Sequence, residues 1–116
     1  MRRLVSHDQS RIEADELHAD ALASGATPVR QCCTGERVDV LGTVRSVTVR
    51  PRGGAPAFEA DVYDGTGSLT VMWLGRRRIR GVDPGRTITV SGRINSVDGQ
   101  PVMFNPRYAI KPGPGA

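Results

Sequence analysis

The chain has 116 residues, room for one compact domain that hides roughly two-thirds of its unfolded surface. Only 38% of residues are hydrophobic, and no apolar run approaches the ~20 residues of a membrane span, so a transmembrane helix is excluded. The formal charge is +4, with fifteen of the sixteen basic side chains arginine and Lys111 the exception. Coding-sequence base composition alone can produce that bias, but planar guanidinium also suits phosphate, to which it donates two parallel hydrogen bonds.

Met1 to Asp8 turn polar and acidic before a secretory apolar stretch can form, so the expected location is cytoplasmic. Charge is uneven along the chain. Residues 1–36 carry four arginines and six acids, net −2; residues 37–116 carry twelve basic groups and six acids, net +6. Asp8 or Ser10 can cap a helix from about Arg11 to Ser24, with Ile12, Leu17, Ala21 and Leu22 as a thin apolar stripe. Gly25-Ala26-Thr27-Pro28 ends it. Residues 1–27 therefore read as an acidic helical segment that either packs on the following domain or acts as an arm, folding back on the arginines or binding a protein partner.

From Arg37 the hydrophobic period becomes two. Val38, Val40 and Val44 alternate with Gly42 in register, and Val47 and Val49 continue on the opposite parity. Phe58, Ala60 and Val62 alternate with Glu59, Asp61 and Tyr63. After the turn Asp64-Gly65-Thr66-Gly67, Leu69, Val71 and Trp73 alternate with Thr70, Met72 and Leu74. Ile88, Val90 and Ile94 follow around Gly92, then Asp98-Gly99 turns the chain into Val102 to Phe104. Five half-buried strands with hairpin signals make an all-β domain.

An internal repeat refines this. Gly35, Val38, Val40, Gly42, Val44, Ser46 and Val47 recur as Gly85, Ile88, Val90, Gly92, Ile94, Ser96 and Val97. Each copy is a long strand with a central glycine and a parity switch just after it, as a bulging or coiling strand requires. Long first and fourth strands that curl sharply are what a small five-stranded barrel needs, since each serves two of its sides.

Residues 58–73, Phe58 through Trp73, resemble strands two and three of the tRNA-anticodon-type OB-fold nucleic-acid-binding domains. Asp83-Pro84-Gly85-Arg86 with Ser91-Gly92-Arg93-Ile94 is similar to their fourth strand. Pro101-Val102-Met103-Phe104-Asn105-Pro106-Arg107-Tyr108 resembles the fifth strand in the wedge domain of the branch-migration helicase. The whole also looks like small stand-alone OB-fold proteins of high-GC Gram-positive bacteria. The resemblance implies a five-stranded Greek-key OB-fold barrel over residues 35–111, behind the short N-terminal helical segment and ahead of a disordered tail, 112–116.

It further implies that single-stranded nucleic acid crosses the outer face of strands two and three, gripped by flanking loops. That face would present Glu59, Asp61, Tyr63, Thr70 and Met72, with Tyr63 its one aromatic. Arg50-Pro51-Arg52-Gly53-Gly54-Ala55-Pro56 reads as the loop between strands one and two, preceded by Arg45. Arg76, Arg77, Arg78 and Arg80 follow strand three, as a phosphate grip or a solvated turn. Arg93 and Arg107 are expected to flank the same groove. The expected ligand is a single strand, DNA rather than RNA, held weakly and without strong sequence preference. The alternative is a protein-interaction module that keeps the barrel but has lost its base-stacking face.

No catalytic constellation is found. Ser6-His7-Asp8 is a contiguous tripeptide without triad geometry, and no P-loop is present. Cys32, Cys33, His7 and His18 have no zinc-motif spacing. The expectation is therefore a non-enzymatic protein without cofactor or metal. Trp73 reads as core or as a stacking platform, and Asp64 as a turn former accepting backbone N–H groups.

Overall fold

The protein is described from a computed structural model covering residues 25–111. The helix expected between Arg11 and Ser24 and the tail 112–116 lie outside the described residues. Among the described residues there is no α-helix, and the chain is all-β. A 3₁₀ turn, Val29–Gln31, leads into β1 (Arg37–Arg52), β2 (Ala55–Tyr63), β3 (Ser68–Leu74), β4 (Thr87–Arg93), β5 (Asn95–Val97), β6 (Gln100–Phe104) and β7 (Arg107–Ile110). They form one mixed sheet in the order β5-β6-β3-β2-β1-β4-β7, in which β3 and β6 run parallel and the other pairs antiparallel.

Seven strands stand where the sequence pattern gave five, because two of the five are interrupted. The fourth breaks at Ile94, where the chain leaves its pairing with β1 and takes β6 as a new partner. Ile94 keeps its backbone bonds to the turn before β1, donating to Glu36 O and accepting from Gly35 N, both at 2.8 Å. The fifth breaks at Asn105-Pro106, where Asn105 has φ 50° and Pro106 has no N–H to offer a ladder. Asn105 latches this break onto β3: its N–H donates to Met72 O, and its side-chain oxygen accepts from Leu74 N at 2.9 Å.

The two repeat copies pair with each other, Val40 opposite Val90 and Gly42 opposite Ile88. The first parity switch is a β-bulge between Val44 and Ser46 that leaves Arg45 as the extra residue, so Val44 and Val47 both face inward. Gly42 sits just ahead of it, where β1 presses on β2. A Cβ there would come within 2.7 Å of both Tyr63 O and a Val62 methyl, so no other residue fits without moving backbone.

Past the bulge, β1 leaves β4 and continues with β2 as a two-stranded arm ending at the pair Arg52–Ala55. Gly53 and Gly54, both at positive φ, close it in a two-residue turn of the kind hairpins favour. The segment expected to be a loop, Arg50 to Pro56, is therefore mostly strand.

The core is formed by Val40, Val44, Phe58, Ala60, Val62, Leu69, Val71, Trp73, Ile88, Val90, Ile94 and Met103, closed at its ends by Val29, Ile79 and Val82. Trp73 belongs to it: the indole lies between Phe58 and Tyr108, and its N–H donates to Pro106 O at 3.1 Å.

Asp64, fully buried, ties the N-terminal turn to the sheet. One carboxylate oxygen accepts from Thr66 N, Thr66 Oγ1 and Gly67 N, and the other accepts from Val29 N at 2.8 Å. Asp64→Ala strands three backbone N–H groups and is expected to cost on the order of 3 kcal/mol or more, read as a lowered urea midpoint. Gly42→Ala is expected to cost about 1–3 kcal/mol by overpacking, in the same measurement.

Candidate nucleic-acid interface

Alternation along β2 and β3 sends Phe58, Ala60, Val62, Leu69, Val71 and Trp73 inward, which leaves Glu59, Asp61, Tyr63, Ser68, Thr70 and Met72 on the outer face. Strand register arranges that face in rows. Thr43, Tyr63 and Ser68 make the first; Ser46, Asp61, Thr70 and Val102 the second; Thr48, Glu59, Met72 and Phe104 the third; Arg50, Ala57 and Leu74 the fourth. From the Tyr63 row to the Arg50 row is six residues of β2, roughly 20 Å.

Basic groups stand at both ends of this track. At the first, the bulge aims Arg45 over Tyr63, its guanidinium carbon 3.6 Å from the ring centroid. Such a cation–π contact is worth about 0.5–1 kcal/mol at an exposed site. It also turns the flat guanidinium into a second surface on which a base can stack. At the other end, Arg50 and Arg52 on the β1–β2 arm lie beside the loop after β3, since Gly75 N donates to Pro56 O at 2.7 Å. Arg76, Arg77, Arg78 and Arg80 on that loop are all exposed. Ile79 and Val82, next to them in the chain, are buried in the core, so the arginine run is anchored by two buried apolar side chains.

The two platform carboxylates have different surroundings. Glu59 is flanked by Arg50 Nε at 3.7 Å and Arg52 Nε at 3.8 Å, ion-pair separations too long for hydrogen bonds, and its Oε2 is buried without a hydrogen-bond partner. Its charge is offset locally, yet both arginines stay well exposed to solvent, and pairs of that kind contribute about 0–1 kcal/mol. Asp61 is half-buried, and its side chain has no ion pair or hydrogen bond among the described residues.

Register and contacts place Arg45, Arg50, Arg52, Tyr63 and Thr70 on one face. Arg76, Arg77 and Arg78 follow on the exposed loop after β3, and Arg80 lies further along it, where its carbonyl accepts from Tyr108 of β7. Met72 lies on the face in register but is only 4% exposed, covered between its neighbours. Arg93 and Arg107 do not flank it. They sit on the outer surface of β1, β4 and β7, where Arg93 opposes Arg37 and donates to Gly35 O at 2.7 Å. Arg107 lines a separate cleft there with Thr27, Arg37, Asp39 and Ser91.

One residue of the face was not anticipated. Phe104, half-buried and outside the core clusters, stands beside Met72 on the strand running parallel to β3. It gives the platform a second aromatic. The parity of β6 carries the signal, since Met103 as the inward residue places Val102 and Phe104 outside.

Cys32 is partly buried against the core and Cys33 is exposed. Burial, reinforced by the Asp64 carboxylate, pushes the Cys32 thiol up to about 11. Among the described residues no group of three His, Cys, Asp or Glu can hold a metal ion. Iodoacetamide at pH 8 is expected to label Cys33 and spare Cys32, by peptide mass spectrometry, because the thiolate is the reacting form.

No family model matches the chain, and no curated protein matches it. Among solved structures it is similar to the protein in "Structure of RecG bound to three-way DNA junction", with a TM-score of 0.61 and 20% identity. The match covers 75% of this chain and 13% of that one. At that identity the likeness is one of fold, and it supports an OB-like strand arrangement.

Proposed function

We propose that the chain is a small, non-enzymatic OB-type module that binds single-stranded nucleic acid, DNA in preference to RNA, weakly and with backbone contacts dominant. In this reading β4 with β5 and β6 with β7 are the fourth and fifth strands of a five-stranded Greek-key barrel, each broken once. The setting is cytoplasmic, and no cofactor or metal takes part. The observation that carries the reading is the track itself: a roughly 20 Å face with Arg45 stacked on Tyr63 at one end and the arginines of the arm and the β3–β4 loop at the other. Similarity to a protein held in a DNA-junction complex adds support at the level of fold.

Phosphates are gripped at the two ends while bases lie across Tyr63, Thr70 and Phe104. Base stacking is worth about 1–3 kcal/mol per base, so two aromatics supply a modest share, and arginine–phosphate contacts supply the rest. A second reading, a protein-interaction module on the same barrel, draws on Glu59, which already engages Arg50 and Arg52 and so competes with phosphate for them.

Fluorescence anisotropy with a labelled dT dodecamer separates the two. With four to six phosphate contacts, log affinity is expected to fall with log salt at a slope of about −3 to −4. Replacing Arg76, Arg77 and Arg78 together by Ala is expected to weaken binding and flatten that slope by up to about 2, while Arg93→Ala with Arg107→Ala leaves both unchanged. No binding at low salt, or a flat slope, refutes the nucleic-acid reading.

A further inference from the structure

Asp61 is the unexplained residue of the face. Asp64 has four hydrogen bonds and Glu59 two flanking guanidiniums, but the Asp61 carboxylate has neither kind of partner among the described residues. Unpaired negative charge in the middle of a phosphate-binding track opposes the ligand unless it meets something other than phosphate. What lies around it is suited to a base. Ser46 and Thr70 stand directly across from it on either side, each with a hydroxyl. Tyr63, with Arg45 over its ring, is two residues along the strand on the same face, and Phe104 lies one row the other way.

Building on the proposed single-strand binding, we propose that Asp61, with Thr70 beside it, biases this face toward bases with an amino group. A carboxylate only accepts hydrogen bonds. Cytosine offers its N4 amino group and adenine its N6 amino group, and carboxylate acceptance from cytosine N4 is an established recognition mode. Guanine presents N1–H and its 2-amino group side by side, a pair matched to the two oxygens of one carboxylate. Thymine and uracil present a single N3–H between two carbonyl oxygens, whose lone pairs oppose the carboxylate. The Thr70 hydroxyl both donates and accepts, so it completes contacts to any of the favoured bases without reversing the order. Asp61 thus tunes base choice, while the arginines set overall affinity.

The test compares three dodecamers, dT12, dC12 and alternating dT–dG, binding to the full chain at one salt concentration. The amino-bearing oligonucleotides are expected to bind about five- to tenfold more tightly than dT12, within the range one good base contact provides. Asp61→Asn, which both donates and accepts, is expected to bring the three within about twofold while tightening dT12, since a charge that repels phosphate is gone. Thr70→Val is a second variant, expected to reduce the preference partly. A purely structural Asp61 would move all three affinities together, and a matching urea midpoint confirms that each variant is folded. Equal affinities in the unsubstituted protein with the salt slope intact overturn the base preference and leave the single-strand reading standing. Retention of the preference by Asp61→Asn also overturns it, and failure to bind any oligonucleotide overturns both.

Discussion

A single buried carboxylate organises the end of this fold. Asp64 closes the β2–β3 turn with one oxygen and holds the backbone of Val29 with the other, so the strand pair that forms the platform and the chain entering β1 are fixed by one group. A charge fully removed from water is tolerated only when hydrogen bonds replace the lost solvent, and here four do so. Val29 then seats in the core, and Cys32 follows with its thiol held protonated by burial. The alignment of Tyr63 with the bulged Arg45 depends on the same turn, because Tyr63 is its preceding residue.

The electrostatics of the outer face are more balanced than a net charge of +4 suggests. Arginine density alone would describe an indiscriminate polyanion binder. Glu59 moderates that by offsetting the charge of both arginines of the arm without holding them in place, and leaves the β3–β4 loop with cations that have no such partner among the described residues. On the proposed function, a face built this way would bind a polyanion reversibly and with sensitivity to ionic strength. The second arginine group, Arg37, Arg93 and Arg107, belongs to a different surface, so the basic character of the chain is divided rather than continuous.

Much of the fold was legible in the sequence because period-two alternation is a direct imprint of a half-buried sheet. The inward residues of β2 and β3, the turn role of Asp64 and the bulge after Gly42 could all be read from parity and spacing. What alternation does not encode is a change of partner. Ile94 keeps plausible strand chemistry, yet the ladder stops there because the neighbouring strand changes, a tertiary event, whereas Asn105-Pro106 is a local turn signal that breaks the last strand by its own chemistry. The same limit explains the site. Arg45, Tyr63 and the arginines of the arm were found because they adjoin the strands that define the face, whereas Arg93 and Arg107 were assigned to it from sequence position alone. Phe104 was overlooked because Val102, Met103 and Phe104 are all apolar, so which of them faces inward shows only once Met103 is seen in the core. Likewise Gly53-Gly54 with flanking prolines suggests a loose loop, and only the register reveals a tight hairpin in which Pro51 and Pro56 face one another.

The arm has a further consequence. Beyond Val44 one side of β1 pairs with β2 and the other, among the described residues, meets no strand. A bare backbone rim of that length invites copies of the chain to zip together, and natural sheets deter this with bulges, proline and positive charge. Arg45 in its bulge, Pro51, Arg50 and Arg52 supply all three deterrents. The guanidiniums that would grip a ligand therefore also oppose edge-to-edge pairing by like-charge repulsion, and polyanion bound to them would lift that repulsion.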